Sequence, residues 1–278
     1  SSGGIFSCDI TTEEIAVAGT NQSENCECGW SHSTRIVGGT EAEINEFPSV
    51  VAVKYLPRHD AVCGATIIAQ TVALSSRHCF VDDPEPRNYR LLVGEHDIAR
   101  SEKAKWLAIN RIIFHPSASD SPTFNDIILV MTSTVIEYTP RVGPACLPFN
   151  IKKEDLIGKY VTATGWGFLQ SGGPSPERLQ KVSQQIVSDS DCTPIYPDDF
   201  EPKQHLCTYT PGKNTCKGDS GGPLYYYDHL HNCNIVVGIM SGGYCNQPTF
   251  KTDIHHFLPW ILNQLPDVEF CKNKNNVE

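Results

Sequence analysis

No stretch of this 278-residue chain approaches the roughly 20 consecutive apolar residues that a bilayer-crossing helix needs, so a helical membrane span is excluded. Charge is sparse as well, at 19% Asp, Glu, Lys and Arg, and positive charge is the scarcer sign. Twenty-two Lys and Arg against 32 Asp and Glu leave a formal charge of −10, and the longest basic run is the "IKK" at Ile151 to Lys153. A field of that sign repels phosphate backbones and anionic lipid, so neither nucleic acid nor a membrane is expected as a partner. The first residues, "SSGGIFSCDI", lack the basic start and apolar run of a signal peptide, and a leader is expected to have been removed. There is no internal repeat of short fixed period. The one close cysteine pair, Cys26 and Cys28, has no second pair to complete a zinc site. The 12 cysteines therefore read as a disulfide framework formed in an oxidising, extracellular compartment.

What is present is turn-forming and β-forming. Twenty-one Gly and 19 Pro divide the chain into short runs such as "SVVAVKYL", "ATIIAQTVAL", "YRLLVG" and "NIVVGIM". Aromatic and β-branched residues recur throughout, which is an ordered composition and predicts an all-β sandwich or barrel. One segment differs. "IHHFLPWILNQL" places Ile254, Phe257, Leu258, Ile261, Leu262 and Leu265 at helical spacing and predicts a terminal helix, with Pro259 near its first turn. Residues 1–35 are polar and end in "CECGWSHSTR", with a sequon at Asn21 that is expected to carry a glycan.

Three short motifs carry chemistry. Gly218-Asp219-Ser220-Gly221-Gly222-Pro223 surrounds a serine with glycines that permit a tight, donor-presenting turn. A seryl hydroxyl is a weak nucleophile that needs a base and backbone donors for an oxyanion. "ALSSRHC" sets His78 beside a half-cystine that would hold its imidazole. "NDIILV" places Asp126 at the mouth of an apolar run, where a carboxylate must be hydrogen-bonded and an imidazole N–H is the partner that orients a base. The order His, Asp, Ser separates this set from the other common hydrolase arrangements.

These motifs, with "RIVGG" at Arg35 to Gly39, resemble the chymotrypsin/trypsin family of serine proteases over about residues 36–265. The resemblance implies two six-stranded antiparallel β-barrels with a C-terminal helix, and a secreted endopeptidase using His78, Asp126 and Ser220. It implies an oxyanion hole from the N–H groups of Gly218 and Ser220. It implies a zymogen cut between Arg35 and Ile36, whose new ammonium pairs with Asp219. The expected division is an activation segment at 1–35, a peptidase domain at 36–270 and a tail at 271–278. Expected partners are protein or peptide substrates, an activating protease and serpin-type inhibitors, with no cofactor. Implied bridges are Cys63–Cys79, Cys192–Cys207, Cys216–Cys245 and Cys28–Cys146, with Cys26 the alternative partner of Cys146. Cys8, Cys26, Cys233 and Cys271 remain, with three possible connectivities, of which Cys8–Cys26 with Cys233–Cys271 is favoured. A further family bridge is expected to be absent, because Val161 and Tyr226 stand at its two positions.

The sequence departs from the family at the primary pocket. Asn214 stands at the base where trypsin-like enzymes have aspartate, Gly242 stands where tryptophan is usual, Gly243 leaves a wall open, and Thr249 replaces a second glycine. A neutral, medium-depth pocket is expected, not strictly trypsin-like. Glu95 has Lys105 ten residues on instead of a second carboxylate, so no calcium site is expected; the pairs His229/His231 and His255/His256 lack companions for a metal. The leader "GGIFSCDI…NCECGW" resembles arthropod proteases that carry a CUB module, including hymenopteran venom enzymes. A catalytically silent homologue that only binds is the rival reading, and the intact Ser220 argues against it.

Overall fold

In the computed structural model the described residues are 22–31, 40–57, 60–99, 105–117, 121–167, 176–212 and 219–272. Fifteen strands and three short helices are described among them. In chain order the strands are β1 (Gln22–Glu27), β2 (Thr40–Glu41), β3 (Val50–Tyr55), β4 (Asp60–Ala69), β5 (Val72–Ser75), β6 (Tyr89–Val93), β7 (Lys105–Phe114) and β8 (Ile128–Thr132). They continue with β9 (Tyr160–Gly165), β10 (Gln180–Val187), β11 (His205–Tyr209), β12 (Pro223–Asp228), β13 (Cys233–Gly243), β14 (Thr249–Asp253) and β15 (Phe270–Lys272). The helices are α1 (Lys153–Leu156), α2 (Asp189–Cys192) and α3 (Ile254–Gln264).

Strands β3, β4, β5, β8, β7 and β6 close the first barrel. The second is the ring β9, β10, β11, β14, β13 and β12, with the short β2 added at the edge of β10. All barrel pairings are antiparallel, as a chain of short runs joined by tight turns requires. The fold is therefore the two-barrel chymotrypsin architecture.

The strand period of two explains why the first-barrel strands read as unbroken apolar runs. On β3, Val51 and Val53 point into the barrel, while Val50 and Ala52 pack in a second cluster with α3. Ile67 against Ile68, Leu91 against Leu92, and Ile128 against Leu129 divide in the same way. Both faces are buried, so alternation disappears from the sequence. The α3 face formed by Ile254, Phe257, Leu258 and Ile261 covers the seam side of this sheet, and Asp253 caps the helix by accepting from His255 N. The helix starts at Ile254, as expected, and Pro259 lies inside it, in its second turn. Between the barrels Ser49 Oγ and Tyr225 Oη are 2.6 Å apart, and Phe47 stacks on the Tyr225 ring.

Cys28–Cys146, Cys63–Cys79 and Cys192–Cys207 are bonded, and Cys245 and Cys271 are also half-cystines. Cys8 and Cys216 lie outside the described residues. The favoured Cys233–Cys271 pairing is corrected: no disulfide joins those two, although both sit in one buried cluster. β1 pairs in parallel with β15, which brings residues 271 and 272 into a strand instead of a loose tail. Val161 and Tyr226 pack in the same apolar cluster, filling with side chains the place a bridge would take. No described helix is long and apolar enough to cross a membrane.

Candidate active site

The site lies at the seam between the barrels. His78 belongs to a short 3-10 turn, Arg77–Cys79, that follows β5, and the Cys63–Cys79 bridge ties that turn to β4. Asp126 stands just before β8 and is fully buried. Its Oδ1 accepts from His78 N at 2.9 Å, and its Oδ2 accepts from His78 Nδ1 at 2.8 Å. A carboxylate can only accept, so Nδ1 carries the proton and Nε2 keeps a lone pair facing away from the aspartate. Burial opposes a charge on the imidazole, but Asp126 outweighs it, and the pKa of His78 is raised above its ordinary value. That is the behaviour required of a base whose protonated form is to be stabilised.

Besides His78, Asp126 is held from the second barrel. Ser241 Oγ, near the end of β13, donates to Oδ2 at 2.6 Å, and Thr252 Oγ1 of β14 donates to the Asp126 carbonyl at 3.0 Å. Asn125 adopts a left-handed conformation with φ 51°, which asparagine tolerates. Its N–H donates to Gln204 Oε1 at 3.0 Å. His205 accepts from Glu201 N at Nδ1 and donates from Nε2 to the Thr123 carbonyl, and burial lowers its pKa to about 4. The loop that carries Asp126 out of the first barrel is thus fastened to the second.

Ser220 sits on a turn that is stitched to both barrels. Gly64 N of β4 donates to the Ser220 carbonyl at 2.8 Å, Gly221 N donates to the Met240 carbonyl, and Met240 N donates to the Gly222 carbonyl. The Ser220 carbonyl is 3.7 Å from Cys79 Sγ, next to His78 in the chain. Gly221 has φ +78°, and a Cβ there would lie 2.4 Å from Ser75 Oγ and 2.5 Å from the Gly64 carbonyl oxygen. Only glycine fits the turn after the serine. Asp219 points the other way, and its Oδ1 accepts from Gly167 N at 2.9 Å.

Of the expected pocket residues, Gly243 and Thr249 are cross-strand neighbours on β13 and β14. Gly243 has φ +129°, and a Cβ there would meet Thr249 Cγ2 at 2.7 Å. The space vacated at Gly242 is taken by the Phe250 ring, 2.5 Å from where a Cβ would stand. Asp253, the nearest acid in sequence, is committed to capping α3. Two residues of this region were not foreseen from the sequence. Ser241 is an unremarked serine at a strand end, and Lys251 lies on the same face of β14 as Thr249, with Nζ donating to Thr249 Oγ1 at 2.7 Å. The alternation Thr249-Phe250-Lys251 was the available clue to the second. Glu95 is engaged locally, accepting from His96 N and Asp97 N. Asn21, Arg35, Ile36, Asn214 and Gly218 lie outside the described residues.

Comparison with known proteins agrees with this geometry. The Trypsin family model matches residues 36–261. "Venom serine protease 34" of Apis mellifera is 33% identical, across 96% of this chain and 67% of its own length. "Venom serine protease" of Polistes dominula is 34% identical, across 93% of this chain and 96% of its own. "Trypsin-1" of Astacus astacus is 33% identical, across 81% of this chain and 98% of its own.

Proposed function

Because the chain belongs to the trypsin family and is a serine endopeptidase, we propose that His78, Asp126 and Ser220 are its catalytic triad. Ser220 Oγ attacks the scissile carbonyl and forms the acyl bond, and His78 Nε2 takes the hydroxyl proton and passes it to the leaving amine. Water then attacks the ester, with the same imidazole as base. Asp126 holds the ring and stabilises the imidazolium. The N–H groups of Gly218 and Ser220 receive the oxyanion. The observation that carries this reading is the double contact of buried Asp126 with His78, beside the Ser220 turn.

The chain is made as a zymogen, cut between Arg35 and Ile36, with the Ile36 ammonium meeting Asp219; a buried carboxylate left unmatched is costly, so the pocket is misformed before the cut. Cys28–Cys146 then keeps residues 1–35 attached to the peptidase domain. The disulfides and the venom relatives support secretion, into venom or haemolymph. The uncharged lining from Gly243 and Thr249, with Asn214 at the base, supports a pocket that is not strictly trypsin-like. The experiment is activation by cleavage at Arg35–Ile36 followed by a serine-directed phosphonylating probe. Labelling of Ser220 only after the cut is expected; an equally labelled uncut chain, or no labelling at all, overturns the zymogen or the triad respectively.

A further inference from the structure

Residues 28–31 are built into the fold well beyond the bridge to Cys146. Gly29 N donates to the Pro144 carbonyl at 2.8 Å, and Asn234 N, near the start of β13, donates to the Gly29 carbonyl at 2.7 Å. Trp30 lies across Gly143, where a Cβ would collide with Cζ2 and Cη2 of the indole. The same ring meets Tyr138 edge to face, with centroids 6.2 Å apart. Ser31 Oγ donates to the Glu46 carbonyl at 2.9 Å. A disulfide by itself requires none of these contacts.

What they grip is the crossing between the barrels. Ala145 N donates to the Ile67 carbonyl of β4, in the first barrel. Cys146 N donates to the Asn234 carbonyl and Val236 N to the Cys146 carbonyl, which bonds the crossing to β13 of the second. Tyr138 packs against the apolar clusters of both barrels. The crossing therefore sets β13 against β4 at Ile67. The Ser220 turn joins the same two strands again, at Gly64 of β4 and at Met240 of β13. Gly64 and Ile67 are separated by about 10 Å of strand. His78 is tied to β4 as well, through Cys63–Cys79. Whatever fixes the crossing thus fixes the two strands from which the Ser220 turn hangs.

We propose that residues 28–31 are a positioning element for the triad: docked through Gly29 and Trp30, they clamp the inter-barrel crossing and hold the Ser220 turn at its working distance from His78. This rests on the triad reading above. The residues that precede the activation cut are then a working part of the peptidase, not only a tethered remnant.

The test is steady-state kinetics of the activated enzyme on one peptide substrate, with melting temperatures measured alongside. Gly143 has no positive φ, so Gly143→Ala is opposed by the indole above it and not by its own backbone. Trp30→Ala and Gly143→Ala are each expected to lower kcat by about tenfold with KM within about threefold, since a misplacement of about 1 Å can cost about 10²-fold. In the double variant the methyl enters space the ring has left, so the two losses should not add. Unchanged kcat in both single variants, with or without a lower melting temperature, overturns the proposal, and so do losses that add. If the alanine variants do not fold, amide exchange in the wild-type enzyme decides. By reciprocity, phosphonate bound at Ser220 is expected to slow exchange at Gly29 and Asn234, and identical exchange overturns the proposal. Labelling also separates the two levels: a wild-type enzyme that labels while kcat ignores Trp30 rejects this inference only, whereas a cut chain that never labels rejects both.

Discussion

The two barrels have the same number of strands and close in the same way, but they are filled differently. The first is packed with Val51, Val53, Ile67, Leu91, Ile128 and Val130, and none of the buried charged residues among those described belongs to this cluster. The second encloses Gln184, Thr208, Thr249 and Lys251, all nearly inaccessible to solvent. The first shows that apolar side chains suffice to build such a barrel. The polar groups of the second are therefore an addition, and they lie beside the strand that holds the Ser220 turn. The first barrel supplies His78 and the start of β8 as rigid supports, and the second carries the residues that differ from the family.

The largest effect that would sharpen this division is the loss of the nucleophile. Ser220→Ala is expected to lower kcat by about 10⁶-fold with unchanged circular dichroism and melting, since comparable triad losses have that size. Residual activity within tenfold of wild type, at about 1.4 kcal/mol per decade, would remove Ser220 from the mechanism. Next is a substitution in the first barrel that should leave the chemistry alone. Leu91→Ala is expected to cost about 2–5 kcal/mol of stability, while kcat/KM of the folded enzyme stays within about threefold. Thr208→Val, in the second barrel, should do the reverse, moving substrate preference more than stability. Denaturant titration alongside peptide kinetics checks the pair, and equal effects of both on KM would dissolve the contrast.

A third expectation concerns the joint between the barrels. His205 is neutral in the fold, and burial holds its pKa near 4. Between about pH 6.5 and 4 the unfolded chain binds a proton that the folded chain refuses, so stability present at higher pH is lost as pH falls through this window. The loss amounts to about 3 kcal/mol at about 1.4 kcal/mol per pH unit. His205→Phe should flatten that slope in urea titrations at a series of pH values, and a slope that does not change assigns the acid sensitivity elsewhere. The smallest effect expected is that of Ser241→Ala. Removing one hydrogen bond to a charged carboxylate costs about 1.5–3 kcal/mol, or one to two decades in kcat/KM. Asp126 then loses a donor that draws off part of its negative charge, its hold on the His78 imidazolium strengthens, and the acid limb of the pH–rate profile should move up. A purely structural role would lower stability without moving that limb.

Much of the molecule was legible because its signals are contiguous. The Ser220 turn announces itself through Gly221 and Gly222, whose backbone demands are local. The helix α3 follows from apolar spacing, whereas the role of Asp253 as its cap emerges only from the structure. The strands of the first barrel were readable as runs, although which of Val50 and Val51 faces the interior was not, because both are buried. The cysteines show the boundary well. Cys63–Cys79 was implied by the family resemblance, whereas the failure of Cys271 to bond Cys233 depends on where the distant strands β1 and β15 are brought together.

By itself, then, the sequence determined the family and the two-barrel class and put forward His78, Asp126 and Ser220 as the proposed triad, since each signal is written in a few adjacent residues. Only the tertiary structure decided that Ser241, 115 positions from Asp126, would donate to its carboxylate, and that Gln204 and Thr252 would fasten the same loop. It also decided that Lys251 would lie inside a barrel instead of on its surface. A lysine in a five-residue strand can face either way, and the face is chosen by which neighbouring strands pair and in what register.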